Sequence, residues 1–388
     1  MEDLEYWLEP DLLYAVEYDV EKNARRLQRL AELAERIRGI RDRMEVRQLG
    51  RPSKEHYAYA VDSSYGNPPL ELIGGVFTVV AYGYVGRAKS GVDKWLGGAL
   101  YFEDRDEADI SRFSAALERR LAAKLLRLKA KGEKDFDVLL LDGEIALHPL
   151  PFNLAAPGGR YEEVNKAVDS LLAAAEKAGV VLAAVAKRVR SRLLSVPFGG
   201  CLPLNDRAAA SIALKPGEYA VLGRLADVLP KWAEIHYAEC EGRGAKEAVS
   251  VCASGGRAPA DPRAARLCER IKEFRANFGR VLDNAMYPHL RLLGDVQIAY
   301  YMPPGGQTAV RVEVLDLAGE GLDEVLAFLS SISSTTTGLP EPLDEVDRYV
   351  RVTPEFVEAA LMLLIKRAPS EVASVLTPNN LQKFRRLF

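Results

Sequence analysis

Two stretches decide the fold, Tyr57-Ala-Tyr-Ala-Val-Asp62 and Asp137-Val-Leu-Leu-Leu-Asp142-Gly143. The first reads as a short strand closed by an acid, set off from what precedes it by the break at Arg51-Pro-Ser-Lys54. The second is a continuous apolar run, which fits a strand buried on both faces in a parallel pairing. Asp62 and Asp142 each end such a strand, so both lie near the sheet centre if the two strands are neighbours.

Between them, Leu72 to Val85 is β-branched, aromatic and Gly-containing, and Gly97 to Phe102 is a further strand-like piece. With the first strand these predict an antiparallel meander. Ile110, Phe113, Leu117, Leu121, Leu125 and Leu128 then recur every three or four positions, predicting a helix over 108–131. A helix over 162–178 and an apolar strand over 180–186 follow Asp142. Three strands, a helix, a buried strand, a helix and a strand is the order of an α/β ribonuclease-H-like mixed sheet flanked by helices.

The flanks are less regular. Residues 18–48 carry Val20, Leu27, Leu30, Leu33, Ile37 and Ile40 at helical spacing, so residues 1–50 are expected as an N-terminal helical segment for oligomer or partner contacts. The main domain is then 51–388. Within it, about 203–290 reads as an irregular, partly helical insertion with a basic helix over 263–280, followed by strands over 296–302 and 309–315 and helices over 321–333 and 354–366.

In 388 residues, 48% of them hydrophobic, no apolar run reaches the ~20 positions of a membrane-spanning helix, and the opening lacks a signal-peptide pattern. No membrane association and a cytoplasmic location are expected. Cys201, Cys240, Cys252 and Cys268 form no Cys-x-x-Cys pair, which argues against zinc. The scarcity of Asn and Gln is that of a thermophile sequence, where a disulfide can form inside cells. No phosphate-binding Gly-Lys-Ser/Thr loop exists, so no nucleotide cofactor is expected. His56, His148, His236 and His289 are scattered and support no triad. A net charge of −3 confines any nucleic-acid contact to local patches, either Arg119, Arg120, Lys124, Arg127, Lys129 and Lys131, or Lys187, Arg188, Arg190 and Arg192.

The acids carry the chemistry. Glu118 lies beside Leu117 and Leu121 at the edge of the apolar stripe of the intervening helix, where it can lean toward the sheet. Converging carboxylates repel unless a divalent cation neutralises them, and hard oxygen ligands suit Mn²⁺ or Mg²⁺. Two ions ~4 Å apart could activate water against a phosphodiester. Lys187 ends an apolar strand and could aim its ammonium at a scissile phosphate, with Arg188, Arg190 and Arg192 tracking the backbone. Tyr300 and Tyr301 could stack on unpaired bases.

Ala60-Val-Asp62-Ser-Ser64 is similar to the Val-Asp-Gly-Ser motif that opens NurA nucleases, and Leu139-Leu-Leu-Asp142-Gly143 resembles their second Asp-Gly motif. Glu118 lies where that family places its catalytic glutamate. Ala184-Val-Ala-Lys187 resembles the family's Ser-Lys strand end, Arg311-Val-Glu313 its Arg-x-Glu strand, and Gly338-Leu-Pro340 its late Gly-Tyr-Pro segment. Residues and resemblance together predict a metal-dependent DNA nuclease with ligands Asp62, Glu118, Asp142 and Asp347, with DNA contacts from Ser64, Lys187, Arg188, Arg190, Arg192 and Tyr301, and with Arg311 and Glu313 in support. The resemblance further implies a homodimer that encloses DNA and works with a hexameric HerA-type ATPase translocase in end resection and break repair. Two positions depart. Ser63 replaces a usual Gly, and Asp347 stands where a late His is common; it either acts as a fourth acidic ligand or pairs with Arg348 or Arg351. The alternatives are a catalytically weak DNA-binding or translocase-regulating subunit and an RNA-directed ribonuclease-H-like enzyme.

Overall fold

The computed structural model describes residues 10–89, 91–104, 107–145, 161–187, 191–241, 249, 260–369 and 375–376. Its framework is three adjacent parallel strands, β2 (Ala58–Tyr65), β6 (Val138–Asp142) and β7 (Val181–Ala186). All six residues of β7 are buried, as expected of a strand with helices on both faces. Tyr59, Val61, Leu139, Leu141, Leu182 and Ala184 enter one core layer. Ala58, Ala60, Val138, Leu140, Ala183 and Val185 enter the other. Side chains two apart share a face, so each strand feeds both layers.

α2 (Glu107–Ala130) and α3 (Glu162–Ala178) cover the first layer. α8 (Leu322–Ser331) and α9 (Glu341–Tyr349) cover the second, through Leu326, Leu329, Leu343 and Val346. Outside β2 lie the antiparallel strands β3 (Leu70–Leu72), β4 (Gly75–Ala88) and β5 (Gly91–Glu103). Outside β7 lie β10 (Val310–Asp316), β9 (Gln297–Tyr301), β8 (Glu218–Arg224) and β1 (Glu45–Gln48). The order β5-β4-β2-β6-β7 is the expected ribonuclease-H-like mixed sheet, here extended to ten strands. α10 (Pro354–Arg367) packs on β4 through Val357 and Leu361.

Two readings of the flanks change. The N-terminal helix α1 spans Pro10–Arg38, not 18–48; Gly39 begins a 3₁₀ turn, and β1 follows at the sheet edge. The helical apolar spacing runs on through Ile40, which hides the strand. Ile37, Ile40 and Met44 join the main core, and Arg41 pairs with Glu218 of β8 while donating to Ala213 O at 2.8 Å. The segment near 203–290 is likewise no simple insertion. It supplies β8 to the sheet, together with α5 (Asp206–Ala213), α6 (Leu225–Ile235) and α7 (Pro262–Leu282). Between Gly217 and Gly223 the apolar run is Tyr219–Leu222, four residues without alternation, which does not by itself tell a strand from a turn of helix.

Cys201, after α4 (Ser195–Phe198), is bridged to Cys240 in the π-type turn His236–Glu241 that follows α6. Cys268 on α7 is also disulfide-bonded, and Cys252 lies outside the described residues. No described helix is long and apolar enough to cross a membrane. The Cys201–Cys240 bridge closes a separation of 39 residues. Replacing both cysteines with Ser should cost about 3–4 kcal/mol through restored unfolded-state entropy. The readout is the urea midpoint, with native circular dichroism retained; an unchanged midpoint would show that this closure contributes nothing.

Candidate metal centre

The strand register assembles the site. Val61 faces Leu141 across the β2–β6 pair, so the next step brings Asp62 beside Asp142. Asp142 in turn faces Val185 of β7, and Lys187 lies two residues further on that face. All three continue the alternation that puts Ala60, Leu140 and Val185 under α9. Gly143, at φ 89°, turns the chain away immediately after Asp142, a conformation that suits Gly. α9 inserts Leu343 and Val346 into the core and presents Asp347 from above the strand ends.

Lys187 Nζ lies 2.8 Å from Asp347 Oδ1, 3.3 Å from Asp62 Oδ2 and 3.4 Å from Asp142 Oδ2. One oxygen from each of the three acids falls within 4.8 Å of the others. Asp62 is buried and Asp347 is exposed, so the cluster opens on the α9 side. Burial, then the Glu118 and Asp142 charges, push Asp62 up to about 8 against the pull of Lys187. Burial also raises Asp142. For Lys187 burial acts downward, but Asp142, Asp62 and Asp347 outweigh it and hold the ammonium well above the ordinary lysine range.

Glu118 approaches from the other side of the sheet. Its Oε2 accepts from Ser63 Oγ at 3.1 Å, and its other oxygen pairs with the fully buried Arg119. It therefore stands behind β2, outside the group of three, yet near enough to raise Asp62. Burial pushes Glu118 itself up to about 7, with Arg119 opposing. Arg119 also donates to Glu144 O at 2.6 Å and Asp142 O at 3.4 Å. It is thus an internal clamp and no part of a DNA-facing patch. Arg120 and Lys129 of the same stretch pair with Glu163 and Asp135.

The remaining sequence candidates separate. Ser64 is half-buried, two residues past Asp62, and Arg192 is partly buried near His236. Arg188, Arg190 and His148 lie outside the described residues. Tyr301 is fully buried, its hydroxyl 3.0 Å from Ser333 Oγ, so stacking on bases is ruled out; Tyr300 is also buried. Both sit on β9, between β8 and β10 with the two sheet faces covered, which makes them core. Arg311 and Glu313 form a buried pair on β10. Arg311 reaches Glu144 at 2.7 Å and Ser191 Oγ at 2.9 Å, and Glu313 accepts from Ile145 N at 2.8 Å. They fasten the segments that follow β6 and β7.

Arg207 was not visible as a site residue. It donates to Lys187 O at 2.8 Å and Thr337 O at 3.0 Å, joining the end of β7 to the turn before α9. Its position in the unpatterned stretch after 203 left no signal. A cavity of about 600 Å³ beside Asp347 is lined by Arg87, Ser334, Thr337, Glu341, Asp344, Glu345 and Arg348.

The donor set suits a hard divalent cation, since three carboxylates converge and a cationic nitrogen already stands among them. Asp62 does not close its strand as the sequence suggests, since β2 runs on to Tyr65 against β4; it is the parallel pairing with β6 that stops at Val61. The protein class is therefore an α/β protein of ribonuclease-H-like topology with a carboxylate centre just past the parallel pairing of its central strands. The NurA domain matches residues 56–352, and the chain belongs to the NurA family. It shares its fold with the crystal structure of the NurA nuclease from Sulfolobus solfataricus, at 14% identity and TM-score 0.56, covering 91% of this chain and 96% of that one. A NurA crystal structure with manganese matches at 12% identity and TM-score 0.50, covering 93% and 99%. No curated protein matches by sequence.

An unfolded aspartate loses its proton near ~4, whereas Asp62 in the fold holds it up to about 8. Between those values the folded state binds more protons than the unfolded one, so Asp62 makes metal-free stability fall as pH rises. Asp62→Asn should remove this part of the slope and be at least as stable as wild type at pH 8–9. Urea unfolding across pH with chelator present tests it, and parallel curves for the two proteins would refute it.

Proposed function

We propose that this chain is a Mn²⁺- or Mg²⁺-dependent DNA nuclease whose ligands are Asp62, Asp142 and Asp347, with Glu118 next to them. The observation that carries the reading is the convergence of three carboxylates, two from adjacent parallel strands and one from α9, on one cationic position. Family membership supports it, as does manganese in a NurA structure of the same fold. When fully ionised, three carboxylates and one ammonium leave two formal negative charges, which one divalent ion neutralises; Glu118 and Arg119 cancel. We assign a second ion to the loaded complex, where a phosphodiester adds further charge. The cations supply Lewis acidity and charge neutralisation at the phosphodiester. Lys187 adds a positive charge at the reacting phosphate, and Ser64, Arg188, Arg190 and Arg192 hold the strand beside it.

The strand enters from the α9 side, where Asp347 is exposed and the cavity opens. We further assign the chain to a homodimer that processes DNA ends in resection and break repair with a HerA-type ATPase translocase. Residues 1–50 are the proposed contact segment, since Tyr14, Val16 and Val20 of α1 expose apolar surface.

Asp62→Ala and Asp142→Ala should each lower Mn²⁺-dependent DNA cleavage by roughly 10³ or more, a loss of several kcal/mol of charge stabilisation, with circular dichroism unchanged. Wild-type cleavage by either folded variant would overturn the assignment. Equal cleavage of matched RNA would move the reading to an RNA-directed enzyme, and no cleavage with intact DNA binding to a regulatory subunit. Asp347→Asn should weaken metal dependence, while Asp347→His should retain partial activity and favour Mn²⁺, because imidazole suits transition metals. Superimposed metal titrations of cleavage would reduce Asp347 to a surface residue.

A further inference from the structure

We infer that Lys187 is a tethered counter-cation that occupies the metal's position and is displaced by it, so that loading the site delivers the ammonium to the substrate phosphate. The inference rests on the metal-dependent reading above and adds an order of events to it.

The three oxygens lie within 4.8 Å of one another. A divalent ion bonded to all three at roughly 2.0–2.4 Å must sit near the middle of their triangle. Lys187 Nζ, within 3.4 Å of all three acids, takes up the same space. An ammonium and a divalent cation confined there repel strongly at low local dielectric, so they cannot share the position.

The backbone of Lys187 is fixed, and its side chain is held only through the ammonium at its end, by the acids that a cation would claim. Arg207 fixes Lys187 O at 2.8 Å, and β7 behind it is wholly buried. A flexible four-carbon stem can therefore swing with its anchor in place. Asp62 and Asp142 form the inner wall, and the exposed side is that of Asp347, so the ammonium leaves toward α9. That is also the side from which the phosphodiester arrives. Lys187 thus relieves repulsion among the acids when no metal is bound and reinforces phosphate binding when metal is present.

The test is calorimetric titration of Mn²⁺ into wild type, Lys187→Met and Lys187→Gln, together with thermal unfolding with and without metal. The variants should bind Mn²⁺ about tenfold tighter or more, because a competing charge is gone. They should melt below wild type without metal and alongside it at saturating Mn²⁺. Equal or weaker affinity in the variants would refute displacement while leaving the metal site standing. Absence of Mn²⁺ binding in wild type and variants alike would sink the metal reading itself. If the variants do not fold, amine-reactive labelling of wild type, read by peptide mass spectrometry, decides. Lys187 should be protected without metal and labelled with Mn²⁺ bound, and continued protection in the metal-bound protein would refute displacement.

Discussion

Electrostatic repulsion among Asp62, Asp142 and Asp347 is the constraint around which the centre of this protein is arranged. A parallel register brings two of these acids side by side on neighbouring buried strands, where water screens them poorly. Left to relax, the strand ends would part. Three arginines oppose this by gripping backbone or second-layer acids: Arg119 on the Asp142 and Glu144 carbonyls, Arg207 on the Lys187 carbonyl, and Arg311 on Glu144. Arg119 and Arg311 are themselves buried, and each guanidinium is also paired with a buried glutamate, Glu118 and Glu313.

The centre has a stiff floor and an open side. Asp62, Asp142 and Lys187 come from strands with helices on both faces, whereas Asp347 comes from a short helix and is exposed. Ligands on strands keep their positions when a cation arrives, and a ligand on an exposed helix leaves room for substrate. Glu118 belongs to neither group. It stands on the opposite face of β2, paired with Arg119, and acts on the centre through its charge.

The parts of this arrangement that follow from alternation and length were legible in the sequence. β2, β6 and β7 and helices α2 and α3 combine strong periodicity with dense apolar content, and their terminal acids and lysine could be placed from them. β1 and β8 were not legible, because β1 has a single apolar residue and the short apolar run of β8, set between glycines in an irregular stretch, does not by itself distinguish strand from helix. Tyr301 misled because an aromatic residue near a strand end looks the same in sequence whether it faces solvent or core. Glu118 could be placed on its helix but not on a side of the sheet, since helical spacing alone does not say which layer the helix covers. Asp347 had no signal of its own and was reached through the family resemblance.

The two departures from the family motifs carry different weight for a physical reason. Ser63 points toward α2, where its hydroxyl donates to Glu118, while its N–H donates to Asp62 Oδ1 at 2.7 Å. A glycine would retain the second bond and lose the first, so the hydroxyl bears on Glu118 and not on the three converging acids. Asp347 bears on those acids directly. Where a neutral imidazole would add no charge, it adds a full negative one to a site that already holds Asp62 and Asp142. That extra charge makes a resident cation more necessary, and the shortest contact of Lys187 in the cluster is the one to Asp347. The departure at Asp347 and the inward position of Lys187 are thus two sides of one charge balance.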